Sequence, residues 1–105
     1  MDIAPDEVAE LQREGPVQLI DVREPYEWDA GRIPGTRHVV LGLIALQAPT
    51  IDRDSPVVFI CRVGGRSTMA ANAFRRAGYE AYSLAGGVLA WEAGGLPFEG
   101  VVAEH

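Results

Sequence analysis

Apolar, β-branched runs alternate along this chain with stretches of helical spacing. Val17-Gln18-Leu19-Ile20-Asp21-Val22 and Pro56-Val57-Val58-Phe59-Ile60 are dense enough in apolar residues to predict strands buried on both faces. His38-Val39-Val40-Leu41 and Ala81-Tyr82-Ser83-Leu84 predict two shorter strands. Pro5 fits a first helical turn, Asp6 and Glu7 fall where the positive end of the helix dipole favours acids, and Gly15 supplies a stop. Leu43 to Gln47 predicts a short helix closed by Ala48-Pro49. The spacing from Ser67 to Ala77 predicts a longer one with Gly78 just past its end. Val88 to Ala93 predicts a last helix, framed by Gly86-Gly87 and Gly94-Gly95. Strands alternating with helices through short connections imply an α/β fold, a parallel sheet covered by helices on both faces. No internal repeat, linker or low-complexity segment interrupts it.

The length of 105 residues fits one domain, and 48% hydrophobic against 23% charged residues is an ordinary globular balance. No stretch approaches the roughly 18–20 apolar residues of a membrane span. The acidic start Met1-Asp2-Ile3-Ala4-Pro5-Asp6-Glu7 lacks the basic-then-apolar order of a signal peptide, so a cytoplasmic location and no membrane partner are expected. One cysteine excludes an internal disulfide, a Cys-x-x-Cys redox pair and a cysteine zinc cluster, and His38 and His105 are too few to replace it. No metal or other cofactor is therefore expected. All nine bases are arginine, which removes Schiff-base chemistry and the phosphate-loop lysine.

The net charge of −6 is unevenly spread. Four arginines (Arg62, Arg66, Arg75, Arg76) and no acid lie between Ser55 and Tyr79, while the rest of the chain carries five arginines and fifteen acids. A nucleic-acid face does not suit so acidic a chain, but one local basic segment suits a small anion. Arg75 and Arg76 read as a solvated helix face.

The strongest strand ends at the lone thiol, Cys61, followed by Arg62-Val63-Gly64-Gly65-Arg66 and the helix from Ser67. Ligands of open parallel sheets bind beyond the carboxyl ends of the strands. Two glycines let successive backbone N–H groups turn inward, the helix N-terminus adds partial positive charge, and two arginines stand close in sequence. Each feature favours thiolate over thiol. An inert core cysteine would show none of these neighbours. His38 has no second ligand near it in sequence and reads as structural or surface. Trp28, Trp91 and Tyr82 read as core or groove-lining.

Cys61-Arg62-Val63-Gly64-Gly65-Arg66-Ser67 resembles the active-site loop of the rhodanese family of sulfurtransferases. Asp21-Val22-Arg23-Glu24-Pro25-Tyr26-Glu27-Trp28 with Gly31-Arg32-Ile33-Pro34-Gly35-Thr36 resembles its amino-terminal signature. Leu84-Ala85-Gly86-Gly87-Val88-Leu89-Ala90-Trp91, running to Gly94-Gly95-Leu96-Pro97, resembles its carboxyl-terminal one. The three occur in the family's order and span nearly the whole chain. Arg32, Thr36 and His38 depart from the residues commonest there, at positions of packing or surface rather than chemistry.

The resemblance implies a three-layer rhodanese fold and a two-step sulfur transfer. Cys61 would take the outer sulfur of thiosulfate or another persulfide donor, and a thiol, or cyanide in an assay, would remove it. The N–H groups from Arg62 to Ser67 would stabilise the persulfide anion, and Arg62 and Arg66 would attract the donor. Asp21, Arg23 and Glu27 read mainly as a supporting hydrogen-bond and ion-pair set near the same sheet edge. Two alternatives stay open. A carrier or docking module charged by a partner protein would show an identical loop. A related cysteine phosphatase or arsenate reductase would carry a loop one residue longer, usually with histidine before the cysteine. Here four residues separate Cys61 from Arg66, and Ile60 precedes the thiol.

Overall fold

The computed structural model describes residues 1–104; His105 lies outside the described residues. Five strands form the main sheet: β1 (Asp2–Ile3), β2 (Gln18–Asp21), β4 (Arg37–His38), β5 (Val57–Ile60) and β6 (Ala81–Leu84). They run parallel in the order β1-β6-β5-β2-β4. The helices are α1 (Pro5–Glu14), α2 (Pro25–Ala30), α3 (Ile44–Gln47), α4 (Gly65–Arg76) and α5 (Gly87–Ala93). Short 3-10 turns, Leu41–Leu43 and Ala48–Thr50, flank α3. An antiparallel ribbon of β3 (Gly31–Arg32) and β7 (Glu99–Gly100) completes the chain. The α/β class and the covered parallel sheet are as the hydrophobic pattern predicts. No helix among the described residues is long and apolar enough to cross a membrane.

Strand β5 is the spine. Its four residues are wholly buried, and their side chains alternate between two cores. Val57 and Phe59 pack with Ala70, Ala71 and Phe74 of α4, while Val58 and Ile60 pack with Val8 of α1 and Val88 and Trp91 of α5. Full burial of a side chain such as Phe59 is worth about 1.5–3 kcal/mol. Register places Asp21 of β2 beside Ile60, so both strands end at one edge.

Helix α1 begins and ends where Pro5 and Gly15 place it, with the Glu7 carboxylate accepting the Ala4 amide at 2.9 Å. The fourth strand differs from expectation. It spans Arg37–His38 rather than His38 to Leu41, although the Val39 and Leu41 amides still reach Asp21 O (3.0 Å) and Val22 O (3.1 Å). The chain then turns at Leu41–Leu43 instead of continuing along the sheet. Strand β2 is likewise shorter than Val17 to Val22, and Gln18 and Leu19 are only half-buried. Helix α2 has no counterpart in the hydrophobic pattern, because six residues are too short to show a period. It starts from Pro25 at its first position and the Glu27 carboxylate on the Glu24 amide at 3.0 Å.

At the end of β2, Asp21 and Arg23 form a fully enclosed ion pair. Asp21 Oδ1 accepts Arg23 N–H and Nε–H, each at 3.0 Å, and Oδ2 accepts Nη2 at 2.9 Å. Nη2 also donates to Gly31 O at 2.7 Å, tying β2 to the ribbon, while Nη1 has no protein partner among the described residues. Asp21 thus carries nearly the whole compensation of a buried charge. Asp21→Ala is expected to destabilise the fold by about 3–5 kcal/mol, read from the shift of a urea unfolding midpoint.

Candidate active site

The alternation of β5 decides where the thiol points. Cys61 continues the parity of Val57 and Phe59, so its side chain falls on the α4 side and is buried in that core. The intervening turn brings the N-terminus of α4 over the sulfur. Gly64 N–H donates to Cys61 Sγ at 3.0 Å and Ser67 N–H at 3.4 Å. Gly64 has φ 126°, a conformation that side chains rarely adopt, and this aims its amide inward. The Arg62, Val63, Gly65 and Arg66 amides donate to no protein acceptor among the described residues. One turn therefore presents a buried sulfur, two N–H groups on it and further N–H groups beside it. N–H groups held on the sulfur in this way stabilise negative charge there.

A cluster of hydroxyls lies behind the sulfur. Ser67 Oγ is 3.3 Å from Sγ and 2.6 Å from Ser83 Oγ, and Ser67 and Ser83 are both fully buried. The thiol donates to Ser67 Oγ. A thiolate can only accept, so the Ser67 hydroxyl then turns to the sulfur while Ser83 donates to Ser67. Gly64 O remains satisfied in either state by the Thr68 amide at 3.0 Å and hydroxyl at 2.7 Å. Sequence reasoning names Ser67 but passes over Ser83 and Thr68. The available signal was a small polar residue, Ser83, within an otherwise apolar strand, sharing the parity of Ala81 that faces α4.

The turn is fixed from below by α5. Val88 N–H donates to Cys61 O at 2.9 Å and Leu89 N–H to Arg62 O at 3.2 Å. Close approach requires glycine at 87: its φ is 60°, and a Cβ there would lie 2.3 Å from Arg62 O and 2.4 Å from Cys61 O. The carboxyl-terminal Gly-Gly pair thus belongs to the site, although it lies far from Cys61 in sequence. Gly87→Ala is expected to cost about 1–3 kcal/mol from strain alone and to slow alkylation of Cys61 by iodoacetamide at fixed pH, as the turn loses its shape.

The charged residues separate into four groups. Asp21 and Arg23 stand at the β2 end as expected, but Arg23 is spent on Asp21 and Gly31 O. Glu27 does not join them. It reaches the loop and grips Arg66 as a two-pronged pair, Nη1–Oε1 at 2.6 Å and Nη2–Oε2 at 2.9 Å. Arg62 Nε donates to Ala103 O at 2.8 Å, pinning the last described residues against the loop. Val63 is exposed, and Arg75 and Arg76 are exposed in the last turn of α4, away from the sulfur. His38 stacks on Trp28 with ring centroids 4.9 Å apart and its Nε2 lies 2.7 Å from Arg23 O, a structural role. Arg32 covers the Trp28 ring at 4.9 Å, and Thr36 Oγ1 donates to Ile33 O at 2.8 Å. All three residues that depart from the commonest family pattern thus serve local packing. No group of three or more metal-ligating side chains occurs among the described residues.

The Arg66 fork holds the Glu27 carboxyl below its ordinary value of 4.5, against burial and with help from the Glu24 amide, while Glu27 raises Arg66. A depressed carboxyl stabilises the fold above its unfolded pKa and loses that contribution as pH falls through the folded one. The stability difference between wild type and Glu27→Gln is therefore expected to be constant above ~pH 5 and to shrink toward ~pH 3 in urea titrations.

Comparisons with known proteins agree with this architecture. The rhodanese-like domain family profile matches residues 4–94. The chain is 37% identical over 90 residues to thiosulfate sulfurtransferase GlpE of Pseudomonas aeruginosa, covering 85% of this chain and 81% of that protein. It is 37% identical over 82 residues to the putative sulfurtransferase YtwF of Bacillus subtilis, covering 78% and 80%. The crystal structure of a rhodanese-related protein from Thermoplasma volcanium superposes with a TM-score of 0.83 at 25% identity, over 92% of this chain and 95% of that one. With the family profile matched over most of the chain and relatives 37% identical along most of their length, the chain belongs to the rhodanese-like domain family.

Proposed function

We propose that the protein is a sulfurtransferase that carries sulfane sulfur on Cys61. The observation that carries this reading is the seating of Sγ on the Gly64 and Ser67 amides, in a turn whose neighbouring amides have no protein acceptor among the described residues. In the first half-reaction the Cys61 thiolate attacks the outer sulfur of thiosulfate. A new S–S bond forms, the old one breaks, and its electron pair departs on sulfite. Cys61 is left as a persulfide anion. In the second half-reaction a thiol, or cyanide in an assay, attacks the terminal sulfur, and the electron pair of the breaking bond returns to Cys61. Atoms and electrons balance without an added oxidant or reductant, and one nucleophile serves both steps.

The backbone does most of the work in this scheme. Gly64 and Ser67 N–H groups hold Sγ, and the Arg62, Val63, Gly65 and Arg66 amides receive the charge of the outer sulfur. Ser67, backed by Ser83, supplies a hydroxyl that follows the sulfur from thiol to thiolate. Glu27 supports the loop through Arg66 without touching the reacting atoms, while Asp21 and Arg23 tie the end of β2 to the β3–β7 ribbon. A donor and an acceptor of sulfur are the partners this requires, and the same chemistry serves whether the sulfur comes from a small anion or from a protein persulfide. Support comes from the sulfurtransferase names of the curated relatives and the match of the loop to the family.

Intact mass after incubation with thiosulfate tests the reading. Wild type is expected to gain the mass of one sulfur atom, Cys61→Ser none, and cyanide should remove the gain with release of thiocyanate. A wild type that stays unloaded with thiosulfate and with an organic persulfide alike would refute it.

A further inference from the structure

The loop counts two cations in the sequence, Arg62 and Arg66, yet the structure does not offer both to a ligand. Glu27 occupies both terminal nitrogens of Arg66, and its own side chain is 3% exposed against 34% for Arg66. The carboxylate is fixed from the other side as well, since its Oε1 accepts the Glu24 amide at 3.0 Å. Arg66 is consequently one half of a neutral unit. Arg62 keeps its charge, with its Nε on Ala103 O.

A dianionic donor must bring two negative charges up to a thiolate, inside a chain of net charge −6. One unscreened guanidinium offsets that poorly, and the like charges of nucleophile and donor repel at contact distance. An organic persulfide carries at most one negative charge on its sulfur pair, against two on thiosulfate, and brings a carbon substituent. Apolar surface is at hand beside the charged groups. Val63, next to Arg62 in the loop, is 55% exposed, and Tyr26, next to Glu27, is 54% exposed.

We propose that Glu27 is a specificity-determining residue, which withholds Arg66 from dianionic donors and biases Cys61 toward organic persulfides. This rests on the sulfurtransferase reading. Glu27 acts through Arg66 and is a positioning residue. Its effect is on which donor arrives and not on the bond exchanged: with an organic persulfide RSSH, Cys61 takes the terminal sulfur and the persulfide proton passes to the departing thiolate as RSH.

The test compares thiosulfate with cysteine persulfide as donors for wild type and Glu27→Gln. Glutamine keeps an Oε1 for the Glu24 amide but releases the charge of Arg66. The ratio of kcat/KM with thiosulfate to the loading rate constant with cysteine persulfide is expected to rise about tenfold, the scale of one restored charge contact near a surface. The thiosulfate value should also fall more steeply with added salt than in wild type, which a purely structural role would not produce. Glu27→Asp keeps the charge with a shorter reach and should move the ratio less, in the same direction, which covers the case of a Gln variant too unstable to assay. A ratio that is unchanged or lowered in a folded variant overturns the proposal and leaves sulfur transfer standing. Failure of wild type to load from either donor brings down the sulfurtransferase reading itself.

Discussion

A turn that points its N–H groups inward must have its carbonyls taken up elsewhere, and this structure depends on how that is arranged. Between β5 and α4 the Cys61 and Arg62 carbonyls are received by the Val88 and Leu89 amides at the start of α5, and Gly64 O by Thr68. With those three oxygens fixed, the Gly64 and Ser67 amides are free to end on the sulfur. The arrangement explains why residues from distant parts of the chain belong to one site. Strand β5 sets the side on which the thiol emerges, β6 places Ser83 beneath α4, and Gly87 lets α5 approach without a Cβ in the way. Buried backbone groups left unpaired are costly, so each contact constrains the others.

Backbone dipoles and side-chain charges behave differently here. An amide held by a turn keeps its direction, whereas a guanidinium finds any acceptor within reach. Arg23 is spent on Asp21, Arg53 donates to Ala77 O at 2.6 Å and covers the Tyr79 ring, and Arg66 is gripped by Glu27. A sum of charges along the sequence therefore overstates the positive field at the loop. What remains at the sulfur is mostly the N-terminus of α4 and its neighbouring amides, which acids elsewhere on an acidic chain cannot neutralise by pairing.

The sequence discloses elements best where period and punctuation coincide. Helix α1 lies between Pro5 and Gly15, and β5 is an unbroken apolar run, so both were legible. Two-residue strands such as β1 and β3, and the six-residue α2, carry no period to read and exist because of contacts made by the rest of the fold. The site divides in the same way. Cys61 and its glycines were visible because strand, turn and helix signals meet there within a few residues. Glu27 was grouped with Asp21 and Arg23 by proximity in sequence, yet α2 turns its side chain toward α4, a long-range pairing that no local pattern encodes. Ser83 and Gly87 stand in legible elements, but their contacts with the loop are long-range in the same way.

The leaving group also separates sulfur transfer from the phosphatase alternative. Hydrolysis of a phosphate ester by a cysteine needs a proton delivered to a departing alkoxide, which calls for a positioned acid. The carboxylate that reaches this loop is Glu27, and it is unsuited to proton donation, because both oxygens are engaged by Arg66, which favours its ionised form. Sulfite departs as a stable anion and a persulfide's thiolate takes up the proton already present on the donor, so neither asks for an acid at the mouth. The same Arg66–Glu27 pair that reduces the positive charge of the loop is compatible with sulfur exchange and poorly matched to ester cleavage.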